Sequence, residues 1–142
     1  MDCAKSVSRV APHLCVALAL IGLLVLAGCG DSDNGRFHAS GNVTWGGKPI
    51  PVGAILFIPD TSQGNSGPAV TVRIKDGRYD TKSMNKEGHV GGPHVIEISG
   101  KDGVAKKYSR AGSPLFRNYK TTANLSKEDD EDLDFEVPGD WK

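Results

Sequence analysis

Val70-Thr71-Val72-Arg73-Ile74-Lys75-Asp76-Gly77-Arg78-Tyr79 is the stretch that decides the fold class. Val70, Val72 and Ile74 alternate with Thr71, Arg73 and Lys75, so one face is apolar and the other polar. That two-residue period belongs to a half-buried strand. Asp76-Gly77 follows at once and supplies the positive φ angles of a two-residue hairpin turn. Tyr79 then begins the return strand.

The same reading extends outward. Upstream, Phe37, Ala39, Gly41, Val43 and Trp45 alternate with His38, Ser40, Asn42 and Thr44 until Gly46-Gly47 breaks the pattern. Ile55 and Phe57 face one way in a second apolar run, which Pro59 closes. Downstream, Gly91-Gly92-Pro93 introduces a strand with His94, Ile96 and Ile98 in phase. Residues 121–125 form a sixth strand, and Leu133, Phe135 and Val137 alternate with Asp132, Asp134 and Glu136 in a seventh. No segment after Cys29 sustains a 3.6-residue period. Seven short strands at turn-like spacing predict an all-β, antiparallel sandwich. Its expected core is Phe37, Val43, Trp45, Ile55, Phe57, Val72, Ile74, Tyr79, Ile96, Ile98, Tyr119, Leu125, Phe135 and Val137.

Ahead of this domain lies an export signal. Lys5 and Arg9 form a short positive region, and the apolar run from Leu14 to Ala27 is about fourteen residues, within the range of a signal core. A transmembrane helix needs about 20 apolar residues, so the run is short for a span. It closes on Leu26-Ala27-Gly28-Cys29, which resembles the lipobox of bacterial lipoproteins in all four positions. The resemblance implies a cleaved signal peptide over 1–28, a diacylglycerol thioether on Cys29 and an acyl (palmitate-type) chain on its new amine. One acyl chain holds a protein only marginally, and two or three make the anchor stable. Residues 29–36 then read as the lipidated Cys and a polar, flexible tether. The expected location is an exported lipoprotein of the inner or outer membrane, on the periplasmic or surface side. Gly30 stands where an Asp favours inner-membrane retention in some bacteria, and Asp31 comes one place later, so both membranes stay open.

Composition narrows the function further. The chain has 17 basic and 17 acidic residues; losing residues 1–28 removes Lys5, Arg9 and Asp2 and leaves a net charge of −1. That balance gives no electrostatic reason to expect nucleic acid as a partner. Cys3 and Cys15 lie inside the signal, so only Cys29 remains after processing and no internal disulfide is available. Residues 37–142 suffice for one hydrophobic core.

The order of several short motifs carries a second resemblance. Gly41-Asn42-Val43-Thr44, Gly47-Lys48-Pro49-Ile50 and Ile55-Leu56-Phe57-Ile58-Pro59 look like the opening of carboxypeptidase regulatory-like, or transthyretin-like, domains. Ile74-Lys75-Asp76-Gly77-Arg78-Tyr79 is similar to the family's central hairpin. Gly92-Pro93-His94-Val95-Ile96-Glu97-Ile98 resembles its Gly-x-aromatic-x-Val-x-Ile strand, with His94 in place of Tyr. The likeness covers about residues 37–138. It implies a seven-stranded Ig-like sandwich with an accessory or binding role.

Candidate sites are few. His89 and His94 lack the third and fourth ligands of a zinc site, and His94 is in phase with core positions. Glu128, Asp129, Asp130, Glu131 and Asp132 have the carboxylate density that Ca²⁺ accepts, without the Asp-x-Asp-x-Asp-Gly order of a calcium loop. The long connection over 100–118 carries Lys101, Lys106, Lys107, Arg110 and Arg117 against Asp102 alone. Such a loop is either a binding element for anionic wall polymer or lipid headgroups, or a solvated excursion. No Ser–His–Asp or Cys–His arrangement has local sequence support. The hydrolase known on the transthyretin-like fold ends in Tyr-Arg-Gly-Ser, whereas this chain ends in Gly139-Asp140-Trp141-Lys142.

The expectation is therefore a non-catalytic, lipid-anchored binding or structural module. Its partners would be the membrane, through the anchor, and an envelope protein or polysaccharide. It would need no cofactor beyond the covalent lipid at Cys29. The alternatives are a calcium-binding module using residues 128–132 and, less favoured, a hydrolase on the same fold.

Overall fold

Alternation sets the faces of the strands, and tight turns set their pairing. The computed structural model describes residues 35–83 and 88–142; the signal, the lipobox with Cys29 and tether residues 30–34 lie outside them. Eight strands follow in order: β1 (Ser40–Trp45), β2 (Lys48–Pro49), β3 (Val52–Pro59), β4 (Val70–Lys75), β5 (Arg78–Asp80), β6 (Gly92–Lys101), β7 (Tyr119–Leu125) and β8 (Phe135–Val137). The only helical pieces among the described residues are two three-residue 3₁₀ turns, Thr61–Gln63 and Thr81–Ser83.

The strands form one curled, mostly antiparallel sheet in the order β2-β1-β5-β4-β3-β6-β7, with β8 added to the far side of β1. The Asp76-Gly77 turn is as expected. Both residues have positive φ, 51° and 76°, and Lys75 pairs directly with Arg78. A side chain at residue 77 would collide with Pro49, its Cβ only 2.5 Å from the proline's, so glycine is needed twice over.

Three features depart from the alternation reading. Gly46 and Gly47 end β1 at Trp45 as expected, but they also turn the chain into a short return strand. At φ +56° and +74° they reverse the chain so that Lys48 and Pro49 pair with Trp45 and Thr44, which raises the strand count from seven to eight. The first strand proper starts at Ser40, because Phe37 and Ala39 face His89 and Asp130 in isolated bridges, the second made by Asp130 bonding to His38 O and Ser40 N–H. The last strand, β8, runs parallel to β1, pairing Val43 with Phe135 and Trp45 with Val137, where an antiparallel neighbour was expected. Side-chain alternation is the same in both directions, so pattern alone does not distinguish them.

The core lies on the inward face of the curl. Of the expected residues, Val43, Ile55, Phe57, Val72, Ile74, Tyr79, Ile96, Ile98, Leu125 and Val137 are buried. Phe37, Trp45, Tyr119 and Phe135 are only half-buried. Ile50, Val70, Ala39 and Phe116 join the core without having been expected there. At its centre the Phe57 ring lies about 6 Å from those of Tyr79, His89 and Phe135. The Tyr79 hydroxyl donates to the Leu133 carbonyl at 2.7 Å and so ties β5 to the segment leading into β8.

Candidate functional site

Strand register separates the two charged segments. Gly92 pairs with Leu125 and Ile98 with Tyr119, so the acidic run leaves β7 at one end of the sheet. Lys101 and the long loop lie at the opposite end, where Val52 pairs with Lys101.

The long loop has internal structure. Asp102 N–H donates to Ser113 O at 2.9 Å, and Gly103 N–H donates to Ala111 O at 3.1 Å. The Asp102 carboxylate accepts from the backbone N–H groups of Val104 and Ser113 at 3.0 and 2.9 Å. These bonds hold its carboxyl below the ordinary aspartate range, with the Lys106 charge adding to the effect. The one acid of the loop is thus bound to its own backbone.

Between this loop and the end of β6 lies a cleft of about 680 Å³. Trp45, Pro114, Leu115 and Phe116 give it an apolar side, and Lys101, Arg117, Lys142, Ser99 and Asn118 also line it. Trp45 and Phe116 pack at 5.8 Å between ring centroids, tilted by 41°. The room for Phe116 depends on Gly100, where a Cβ would sit 2.8 Å from the Phe116 ring and 3.0 Å from Ile50. The Trp45 Nε1–H is buried without a hydrogen-bond partner, an uncommon state for a buried donor. Trp141 braces the rim. Its indole N–H donates to Arg117 O at 3.1 Å, and its ring meets Tyr119 edge-on.

The cleft continues onto the outer face of the sheet. A small depression of about 150 Å³ shares Ser99 and Asn118 with it and is floored by Ala54, Leu56 and Thr71. A third, of about 660 Å³, shares Ala54 and Thr71 with the second and is edged by Arg73 and Lys75. Glu97, on the floor of the middle depression, is paired with Lys120.

Of the five loop cations expected to act together, Lys101 and Arg117 meet at the cleft. Lys106 turns back to the Ser113 hydroxyl, Lys107 lies over the Tyr108 ring, and Arg110 is exposed in solvent. The aromatic wall and the cations Arg73 and Lys75 are not part of the sequence reading of this site. Trp45 is in phase with the core, and Phe116 stands alone in a loop, so neither carries a local signal.

At the other end, the carboxylates of the acidic run are tied to groups of this chain. Asp129 accepts from His38 N–H at 2.8 Å, Asp130 accepts from Asp132 N–H at 3.0 Å, and the Lys82 ammonium lies between Asp129 and Glu131, at 3.9 and 3.3 Å. Among the described residues no group of three or more His, Cys, Asp or Glu side chains is placed to hold a metal ion. His89 and His94 do come together, ring centroids 5.8 Å apart and edge-on, but each is only 1% exposed. His89 Nδ1 accepts from Gly91 N–H at 3.0 Å, so its proton is on Nε2, which has no partner. Burial, with the neighbouring His94, pushes the His89 imidazole down to about 4. No helix among the described residues is long and apolar enough to cross a membrane. No family model matches the chain, and no curated protein matches it significantly.

Proposed function

We propose that this protein is an exported, lipid-anchored binding module of the cell envelope, without catalytic activity. Its curled sheet would be the transthyretin-like, carboxypeptidase regulatory-like sandwich. The anchoring half of the reading rests on one observation: an apolar run of signal length ending in Leu26-Ala27-Gly28-Cys29. The only thiol left after cleavage would then be the one that receives lipid.

The binding half rests on the cleft beside Trp45, Leu115 and Phe116, whose volume lies in the range of small-ligand sites. A non-catalytic role is supported by the placement of the imidazoles. His89 and His94 are sealed in the core, beyond the reach of a substrate in the cleft. The sandwich assignment is supported by the motif order and by β1, which hydrogen-bonds to β5 along its first half and to β8 along its second.

Intact mass of the protein purified from native membranes tests the anchor. The expected species begins at Cys29 and carries a diacylglycerol and an N-acyl chain. A species beginning at Met1, or a bare thiol at Cys29, overturns the reading.

A further inference from the structure

Three adjoining depressions, each sharing residues with the next, describe a groove rather than a pocket. It starts in the cleft at Trp45, crosses Ser99 and Asn118, and passes over Ala54 and Leu56. It reaches Arg73 and Lys75, which also line a further depression with Arg78 and Asp80. Its path runs across β6, β3 and β4, not along them. Two strand spacings account for about 10 Å of that path, with the cleft beyond.

Its chemistry alternates. Most of the lining is apolar or aromatic, Ser99, Asn118 and Thr71 are its polar members, and cations stand at both ends, Lys101, Arg117 and Lys142 at one and Arg73 and Lys75 at the other. The acid between them, Glu97, is neutralised by Lys120. Asp102, the acid nearest the cleft in sequence, accepts two backbone N–H groups at its Oδ1. The groove therefore selects an occupant that is negative at intervals and has flat apolar faces between its charges.

An extended acidic peptide would satisfy the charge but not the backbone. Peptides that lie on sheets bind along an unpaired strand edge. Here β3 and β6 are hydrogen-bonded to strands on both sides, and β4, which meets β5 only at Lys75 and Arg78, has its free edge running at right angles to the groove, so a peptide lying in the groove would have no strand edge to follow. An acyl chain would cover the apolar lining but leave Ser99, Asn118 and Thr71 without hydrogen-bond partners and the cations at both ends without counter-charges. Sugar rings carry both a C–H face to stack on an indole and hydroxyls for those polar residues.

We infer that this groove binds an acidic polysaccharide, with sugar rings on Trp45 and over Ala54 and Leu56 and anionic groups at the two cationic ends. The inference rests on the reading of the domain as a binding module and names its ligand class.

The test uses full-length protein solubilised from membranes in detergent, with polygalacturonate and dextran sulfate as probes. Neutral dextran and poly-L-glutamate are the controls. Either acidic polysaccharide should be bound in preference to both controls. Binding should weaken about tenfold between low and high salt, because the contacts are surface charges. The double charge reversal Lys101→Glu with Arg117→Glu should weaken it about tenfold or more, and so should Arg73→Glu with Lys75→Glu. Both pairs are surface positions, so melting temperature should be unchanged. Trp45→Leu should lose affinity for the polysaccharides while leaving the weak binding of poly-L-glutamate untouched.

Equal binding of poly-L-glutamate, indifference to both reversals, or no retention of either acidic polysaccharide overturns the ligand assignment. If the lipid is present on Cys29 but these probes fail, only the ligand class falls. If Cys29 is bare, the envelope reading falls whatever the groove binds.

Discussion

At the scale of the residue, His89 makes the domain sensitive to acid. Its ring is stacked on Phe57, edge-on to His94, and holds its Nε2 proton without an acceptor. The charged groups that face it are His94 and His38, which oppose protonation, and Asp129 and Asp130, which favour it; burial outweighs them all. The native imidazole titrates at about 4, whereas an unfolded histidine titrates near 6.5. Between those values the unfolded chain takes up a proton that the native state refuses, so stability falls as pH drops through that window. Above the window this group makes no difference. Below it the loss levels off, at about 3 kcal/mol for a shift of this size. Urea unfolding of the wild type at pH 7.5, 5.5 and 4.5 should show the loss, and His89→Phe should remove most of it. A His89→Phe variant with the same acid dependence would assign the effect to another group.

At the scale of the element, the loop over 101–118 behaves as a hydrogen-bonded unit pinned by one carboxylate. Asp102 caps the N–H groups of Val104 and Ser113, and Gly112, at φ +84°, leaves room for its Oδ1 where a Cβ would stand. Asp102→Ala removes the one oxygen that accepts both N–H groups, so amide exchange over residues 103–113 should accelerate strongly. Melting temperature should change little, because the core packing of Ile50, Phe57 and their neighbours is untouched. Protonation should mimic the substitution. A carboxyl held below its ordinary range contributes while it is ionised and stops contributing as pH falls through its lowered native value, so the loop should loosen only in strong acid. Hydrogen exchange read by mass spectrometry reports both. Unchanged protection in Asp102→Ala would mean that the backbone ladder from Asp102 to Ser113 suffices alone.

At the scale of the whole molecule, one buried ring joins parts far apart in the chain. Phe57 on β3 touches Tyr79 on β5, Phe135 on β8 and His89 before β6. Phe57→Ala should cost about 3–5 kcal/mol in a single cooperative transition, measured by denaturant unfolding. A loss below about 1 kcal/mol, the scale of a partial truncation, would mean that the curl does not close around this residue. The molecule also has two charged ends, acidic beyond Leu125 and basic around Lys101 and Arg117. Net charge near zero conceals that separation, which only strand register makes visible.

What the amino-acid order determined by itself is whatever repeats over a few residues. The alternation of Val70 to Lys75, the Asp76-Gly77 turn, the in-phase Ile96 and Ile98 and the apolar run before Cys29 all act through neighbours in the chain. The inward face and the all-β character follow from them directly. Tertiary structure alone decided which elements meet. It turned β8 parallel to β1, drew Ile50 and Phe116 into the core without periodic companions, and left Trp45 half-exposed at a cleft although its phase pointed inward. The groove belongs to this second kind: its residues come from β1, β3, β4, β6, a loop and the C-terminal segment, spread from Trp45 to Lys142. Contacts at such separations depend on strand order and register, which no local period encodes.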